Sequence, residues 1–225
     1  KSIVERATNA NDAIVTTAEN IERNLETEQG FNRTKNQFAH VVDFLNSDRG
    51  AIKNILAAAG CSLDNHQHAA TVSSLALAIA TKSGITDSND LMQLGIAAMV
   101  HDLAKNKLAF TATKKRSEFT PEEKKLYERH PADGVAMLSG KPFITPRILG
   151  LVQDHEEVGR GRGFPERKDI ASLQKVYQIF NLANDFDRFC AEQTIEAAKA
   201  IDPFFEKRGE LFDSELVTTL ATVLT

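Results

Sequence analysis

Four of the chain's six histidines, His68, His101, His130 and His155, stand on or at the end of segments with helical periodicity, and one of them is followed directly by a carboxylate, as His101-Asp102. Imidazole offers one well-aimed nitrogen and a carboxylate offers two oxygens. Side chains of these types brought together from several helices hold metal ions inside a bundle. Adjacent helical residues point about 100° apart, so His101-Asp102 can serve two neighbouring ions, or one ion plus a bridge. Lys105 follows one turn after His101 and can hold a phosphate oxygen or a bridging water. Taken alone, His101-Asp102 fits a buried hydrogen bond more readily, and each other histidine fits a cap or a surface position. Together the five residues point to metal, and to phosphate-ester hydrolysis by a metal-bound hydroxide.

The elements that must position them read as helices almost throughout, with no alternating strand patterns. Residues 1–29 are polar and weakly periodic, and Gly30 breaks that pattern. A helix follows with Phe38, Val41, Val42 and Leu45 on one face. After a turn at Asn46-Ser47-Asp48 another helix ends at Gly60. Residues 64–83 read as a buried helix, from the spacing of Val72, Leu75, Ala76, Ile79 and Ala80. A helix from Asp90 carries Leu91, Leu94, Ala98 and His101 on one stripe. Thr120-Pro121-Glu122-Glu123 is a capping-box start for a helix that runs to His130 and is interrupted at Pro131, with a short helix then reaching Ser139. Thr145-Pro146 starts the helix leading to His155. Gly159 to Pro165 is a glycine-rich loop, Asp169 caps a helix through Phe189, and the tail with Leu211, Leu216 and Leu220 packs as a terminal helix.

A length of 225 residues, 42% hydrophobic and 26% charged, suits a soluble globular protein with a sizeable core. A net charge of −4 argues against broad binding of duplex nucleic acid. Cys61 and Cys190 are remote from each other and form no Cys-x-x-Cys pattern, which predicts a reducing cytoplasm. There is no apolar run long enough to span a bilayer and no signal peptide. A start at Lys1 rather than Met suits a chain with an upstream region. We divide the chain into residues 1–58, a helical linker or small regulatory or dimerisation region, and residues 59–225, the metal-bearing domain.

His101-Asp102-Leu103-Ala104-Lys105, preceded by Leu94 to Val100, resembles the signature of the HD hydrolase superfamily. His68-Ala69-Ala70-Thr71-Val72 before it resembles the HD-GYP subgroup, as do His130-Pro131 with Gly134, His155-Glu156 and Gly163-Phe164-Pro165 after it. The resemblance covers roughly residues 60–200 of the sequence. It implies an all-α HD-domain bundle with two divalent metal ions, iron or manganese, that hydrolyses cyclic di-GMP to pGpG or GMP. It also implies that His68, His101, Asp102, His130 and His155 are ligands, that Asp102 bridges, and that Lys105 supports the phosphate or the bridging water. Asp64, one turn before His68, stands where some members have a further ligand; a helix cap is the other reading.

The chain departs from that pattern at several points. Asp154-His155 replaces two adjacent histidines, which makes Asp154 a candidate ligand. The motif tyrosine is Phe164, which keeps the ring for substrate contact and loses the hydroxyl. The final family aspartate aligns with Asn184, which shares a helix face with Leu173, Val176, Tyr177, Phe180 and Asp187 and offers only a neutral carbonyl oxygen. Gln193 stands where a phosphate-binding arginine is expected, so Arg160 and Arg162 are candidates for that role, with solvated arginines as the alternative. A second function follows from these losses: a signalling or binding module of HD-GYP type with weak or absent turnover. Another HD-type nucleotide hydrolase is a third.

Overall fold

The computed structural model describes residues 2–48 and 50–225. Among the described residues there is no strand, and ten α-helices carry the fold. They are α1 (Ile3–Asn24), α2 (Glu28–Ser47), α3 (Ala51–Ala59), α4 (Asn65–Lys82), α5 (Ser88–Val100), α6 (Pro121–Leu138), α7 (Pro146–Asp154), α8 (Lys175–Gln193), α9 (Ala197–Arg208) and α10 (Ser214–Leu224). The all-helical bundle expected from the sequence is the one observed.

Most helix starts are written in short polar residues. The side chains of Thr27, Asp64, Asp87 and Thr145 each accept a hydrogen bond from a first-turn amide. Ser2 with Glu5, and Thr120 with Glu123, form reciprocal capping boxes. The axis of the molecule is α4, in which every residue from His68 to Ala80 is buried. A helix apolar on all sides must be enclosed, and α4 packs against α1, α5 and α8. Its alanines let those neighbours come close. Gly95 of α5 does the same for α2, because a Cβ there would lie 2.8 Å from the Phe38 ring.

The structure sharpens one local expectation and corrects three. The first thirty residues hold a long helix, α1, whose buried face is Ala7, Asn11, Ile14, Ala18 and Ile21. Steps of four and three make one stripe, but small and polar members weakened its signal. Gly30 does not end a helix. It lies in the first turn of α2, where a Cβ would meet the Asn24 carbonyl oxygen at 2.3 Å, so glycine permits the tight α1–α2 hairpin. Nor does Pro131 interrupt α6, which runs through it to Leu138. Proline has no N–H to give the carbonyl four residues back, and that carbonyl, on Tyr127, accepts from His130 Nδ1 instead. Asp169 caps only a short 3-10 turn, Ile170–Ser172, and α8 starts later at Lys175.

Ile14, Ile21 and Leu25 of the N-terminal segment pack in the same core as Leu75, Val100, Phe180 and Leu220.

Candidate metal centre

Each histidine of the set sits where a helix begins, ends or has been modified. His68 lies in the first turn of α4, behind the Asp64 cap. His101 and His155 are the residues just past α5 and α7. His130 precedes Pro131 within α6. All four are buried, as is Asp102.

Helix ends leave carbonyls without an intrahelical partner. His101 Nδ1 donates to the Ala98 carbonyl at 2.7 Å, and His155 Nδ1 donates to that of Val152 at 2.6 Å. With His130 on Tyr127, three rings give their Nδ1 proton to the carbonyl three residues back. That assigns the tautomer and leaves each Nε2 as a bare lone pair aimed inward. His68 takes a longer route, with Nδ1 donating to Asp187 Oδ2 on α8 at 2.6 Å.

The lone pairs meet in two pairs around one carboxylate. His101 Nε2 is 3.2 Å from His68 Nε2, and His130 Nε2 is 2.9 Å from His155 Nε2. Asp102 Oδ2 faces the first pair, at 3.4 Å from His68 and 3.2 Å from His101. Asp102 Oδ1 faces the second, at 3.2 Å from His130 and 3.5 Å from His155. The ligand atoms within each group of three lie within 4.8 Å of one another. Neither Asp102 oxygen accepts a hydrogen bond of good geometry, and Oδ1, unlike Oδ2, has no lysine or arginine among the described residues against it. Bare nitrogens facing one another beside such a carboxylate repel unless a cation stands between them. The donor set, imidazole and carboxylate, is that of divalent transition metals. The residues therefore fit two ions that share Asp102.

Electrostatics support the same state. Burial pushes the His130 ring down to about 4, so it stays neutral and ligand-ready. Burial works against the Asp102 carboxylate, but the Lys105 ammonium beside it holds it well below the usual range. The Lys105 ammonium sits directly on Asp102 Oδ2. Desolvation lifts Asp187 to about 7.

The other residues singled out by sequence are placed as follows. Asn184 joins the two histidine pairs: its Oδ1 is 3.0 Å from His68 Nε2, and its Nδ2 donates to the His155 carbonyl at 3.2 Å. The Phe164 ring lies 6.0 Å from that of His130 and 5.7 Å from that of Tyr127. Asp154 is buried next to His155, but its Oδ1 accepts from Lys168 at 2.8 Å and it is in neither ligand group. Asp64 is exposed and accepts from the Gln67 amide as the cap of α4. Arg160 and Arg162 are more than half exposed, and both reach Glu210, at 3.0 and 2.9 Å.

Four groups at the site escaped the sequence reading of ligands and substrate contacts. Asp187 is the partner of His68, and its place one turn beyond Asn184 on the same face was the available signal. Arg188, one turn after Asn184 in α8, is buried against Glu156, the Tyr127 hydroxyl and, at 3.3 Å, Asn184 Oδ1. Its place one turn beyond Asn184 in the same helix was the available signal. Glu156 stands 3.8 Å from His130 Nε2 and 3.7 Å from His155 Nε2, and the Arg188 guanidinium keeps it ionised against the cost of burial. Behind these, Asn181 Nδ2 donates to the carbonyls of Asp154 and Glu157, both at 2.7 Å, and so straps the turn that carries His155.

Residues 51–216 match the family model described as HD domain, and the chain belongs to that family. Its members are in general metal-dependent phosphohydrolases. In fold the chain is similar to the solved structure of Bd1817, a HDG"Y"P protein from Bdellovibrio bacteriovorus. The TM-score is 0.87 at 23% sequence identity, over 100% of this chain and 73% of that one. A search of curated proteins returned no match. No helix among the described residues is long and apolar enough to cross a membrane.

Proposed function

We propose that this chain is a phosphodiesterase of the HD-GYP type, cleaving cyclic di-GMP to pGpG or GMP at a site holding two iron or manganese ions. The observation that carries the reading is the division of Asp102, with one oxygen turned to each histidine pair. When bound, two such ions lower the pKa of a water and neutralise charge that builds on the phosphate oxygens. The protein's share is to hold the four imidazoles aimed, to keep Asp102 ionised, and to place the Lys105 ammonium at the edge of the site. No serine or cysteine nucleophile is required. We place the reaction in the cytoplasm, with residues 1–58 relaying a signal from an upstream sensor or pairing two chains.

One observation favours a second reading, a metal-binding signalling module with little turnover. Asn184 brings a neutral amide where a carboxylate would bind a cation more strongly, and Lys105 and Arg188 crowd the same side of Asp102.

Metal analysis of anaerobically purified protein, run beside a cyclic di-GMP assay, decides between them. About two ions per chain, with turnover abolished in Asp102→Ala, is the expected result. Two ions without turnover would favour the signalling module, and absence of metal would refute both.

A further inference from the structure

We propose that Arg188 is the group that grips a substrate phosphate in this chain, acting beside Lys105. The inference rests on the phosphodiesterase reading and deepens it.

A small pocket of about 40 Å³ reaches His68 and is lined by Lys105, Arg188 and Tyr127, together with Lys114, Arg116 and the Glu192 carboxylate, which is paired with Arg116 at 2.6 Å. That volume admits a few water-sized atoms, the scale of phosphate oxygens rather than of a nucleoside. The site residues facing this space are therefore the two buried cations and one histidine, while Asp102, His101, His130 and His155 do not line it. A phosphate approaching through it meets Lys105 and Arg188 together.

The Arg188 side chain is fixed before any ligand arrives. Its Nη1 donates to Glu156 and to the Tyr127 hydroxyl, and its guanidinium carbon lies 5.6 Å from the Tyr127 ring centre. Its Nη2 lies 3.3 Å from Asn184 Oδ1 and 3.5 Å from Asp102 Oδ2. A guanidinium is a planar fork of donors that matches two phosphate oxygens at once, and prior ordering removes part of the cost of binding. The ions expected at the centre claim the same Asp102 oxygens, which weakens the hold of Asp102 on Lys105 and on Nη2. The N–H groups freed in this way belong to Lys105 and Arg188, the two buried cations that line the pocket. Arg160 and Arg162 are spent on Glu210 at the surface, so Arg188 takes the role that sequence reasoning assigned to them.

The test is binding of inorganic phosphate to the metal-loaded chain, followed by calorimetry, for the wild type, Arg188→Gln and Arg188→Lys. Metal content and helical circular dichroism are read on the same samples. Arg188→Gln should weaken phosphate at least tenfold with bound metal unchanged. Arg188→Lys, which keeps the charge and loses the fork, should fall between the two. If Arg188→Gln does not fold, the lysine variant against wild type decides. Equal phosphate affinity in wild type and the folded variants, or no phosphate binding by wild type, overturns the proposal. Phosphate binding that depends on Arg188 in a chain unable to cleave cyclic di-GMP supports Arg188 and refutes the substrate assignment. Cleavage that is indifferent to both variants does the reverse.

Discussion

The two halves of the centre are built differently. His130 and His155 each take their Nδ1 acceptor from their own helix, three residues back, and they are brought together by the packing of α6 on α7. His68 depends on Asp187, 119 residues further along the chain, and its half of the site is the one on which Lys105 and Arg188 converge. The first half is set by local helix-end geometry and meets Asp102 through Oδ1. In the second, His101 is fixed in the same local way but His68 is set by how α8 docks on α4, and the pair must compete with two cations for Oδ2. Local construction therefore predicts a tight metal position at His130/His155, and long-range construction predicts a weaker, adjustable one at His68/His101.

The largest effect should come from removing what the halves share. Asp102→Asn should abolish detectable turnover and reduce bound metal from about two ions to less than one, measured by elemental analysis. Single replacements come next and should break the symmetry: His155→Ala should remove the high-affinity step of a manganese titration, and His68→Ala only the low-affinity step. Loss of the same step in both variants would refute the division. Asp187→Asn should weaken the low-affinity step about 10- to 100-fold by releasing the His68 ring, with the other step unmoved. Asn184→Asp should strengthen the low-affinity step about tenfold, a gain near 1.4 kcal/mol. The smallest effect belongs to Arg160→Ala with Arg162→Ala. Both side chains are more than half exposed against Glu210, so stability should move by no more than about 0.5 kcal/mol and cyclic di-GMP KM should stay constant.

The same contrast explains what could be read from the sequence. The helices around the site were legible because their caps and apolar spacing are local, as at Thr120-Pro121 and Thr145-Pro146. The histidines were legible as a set because the rest of the chain holds so few. Harder to read was anything decided by contact between distant elements. Asp154 has ligand chemistry and adjoins His155, yet Lys168, fourteen residues on, occupies its oxygen. Arg188 was not singled out from the sequence, and only the docking of α8 against Glu156 and Tyr127 shows it inside the site. Pro131 misled for the opposite reason: its local rule predicts a break, and the carbonyl it frees instead orients His130.

Asn181 has a consequence for motion. One amide fastens α8 to the turn bearing His155 and Glu156, while Asp187 on the same helix steers His68. A slide or roll of α8 would drag parts of both halves in a single movement. One rod thus serves as a common shaft, and a push delivered along it would reach His68 in one half and the turn of His155 in the other through a single element.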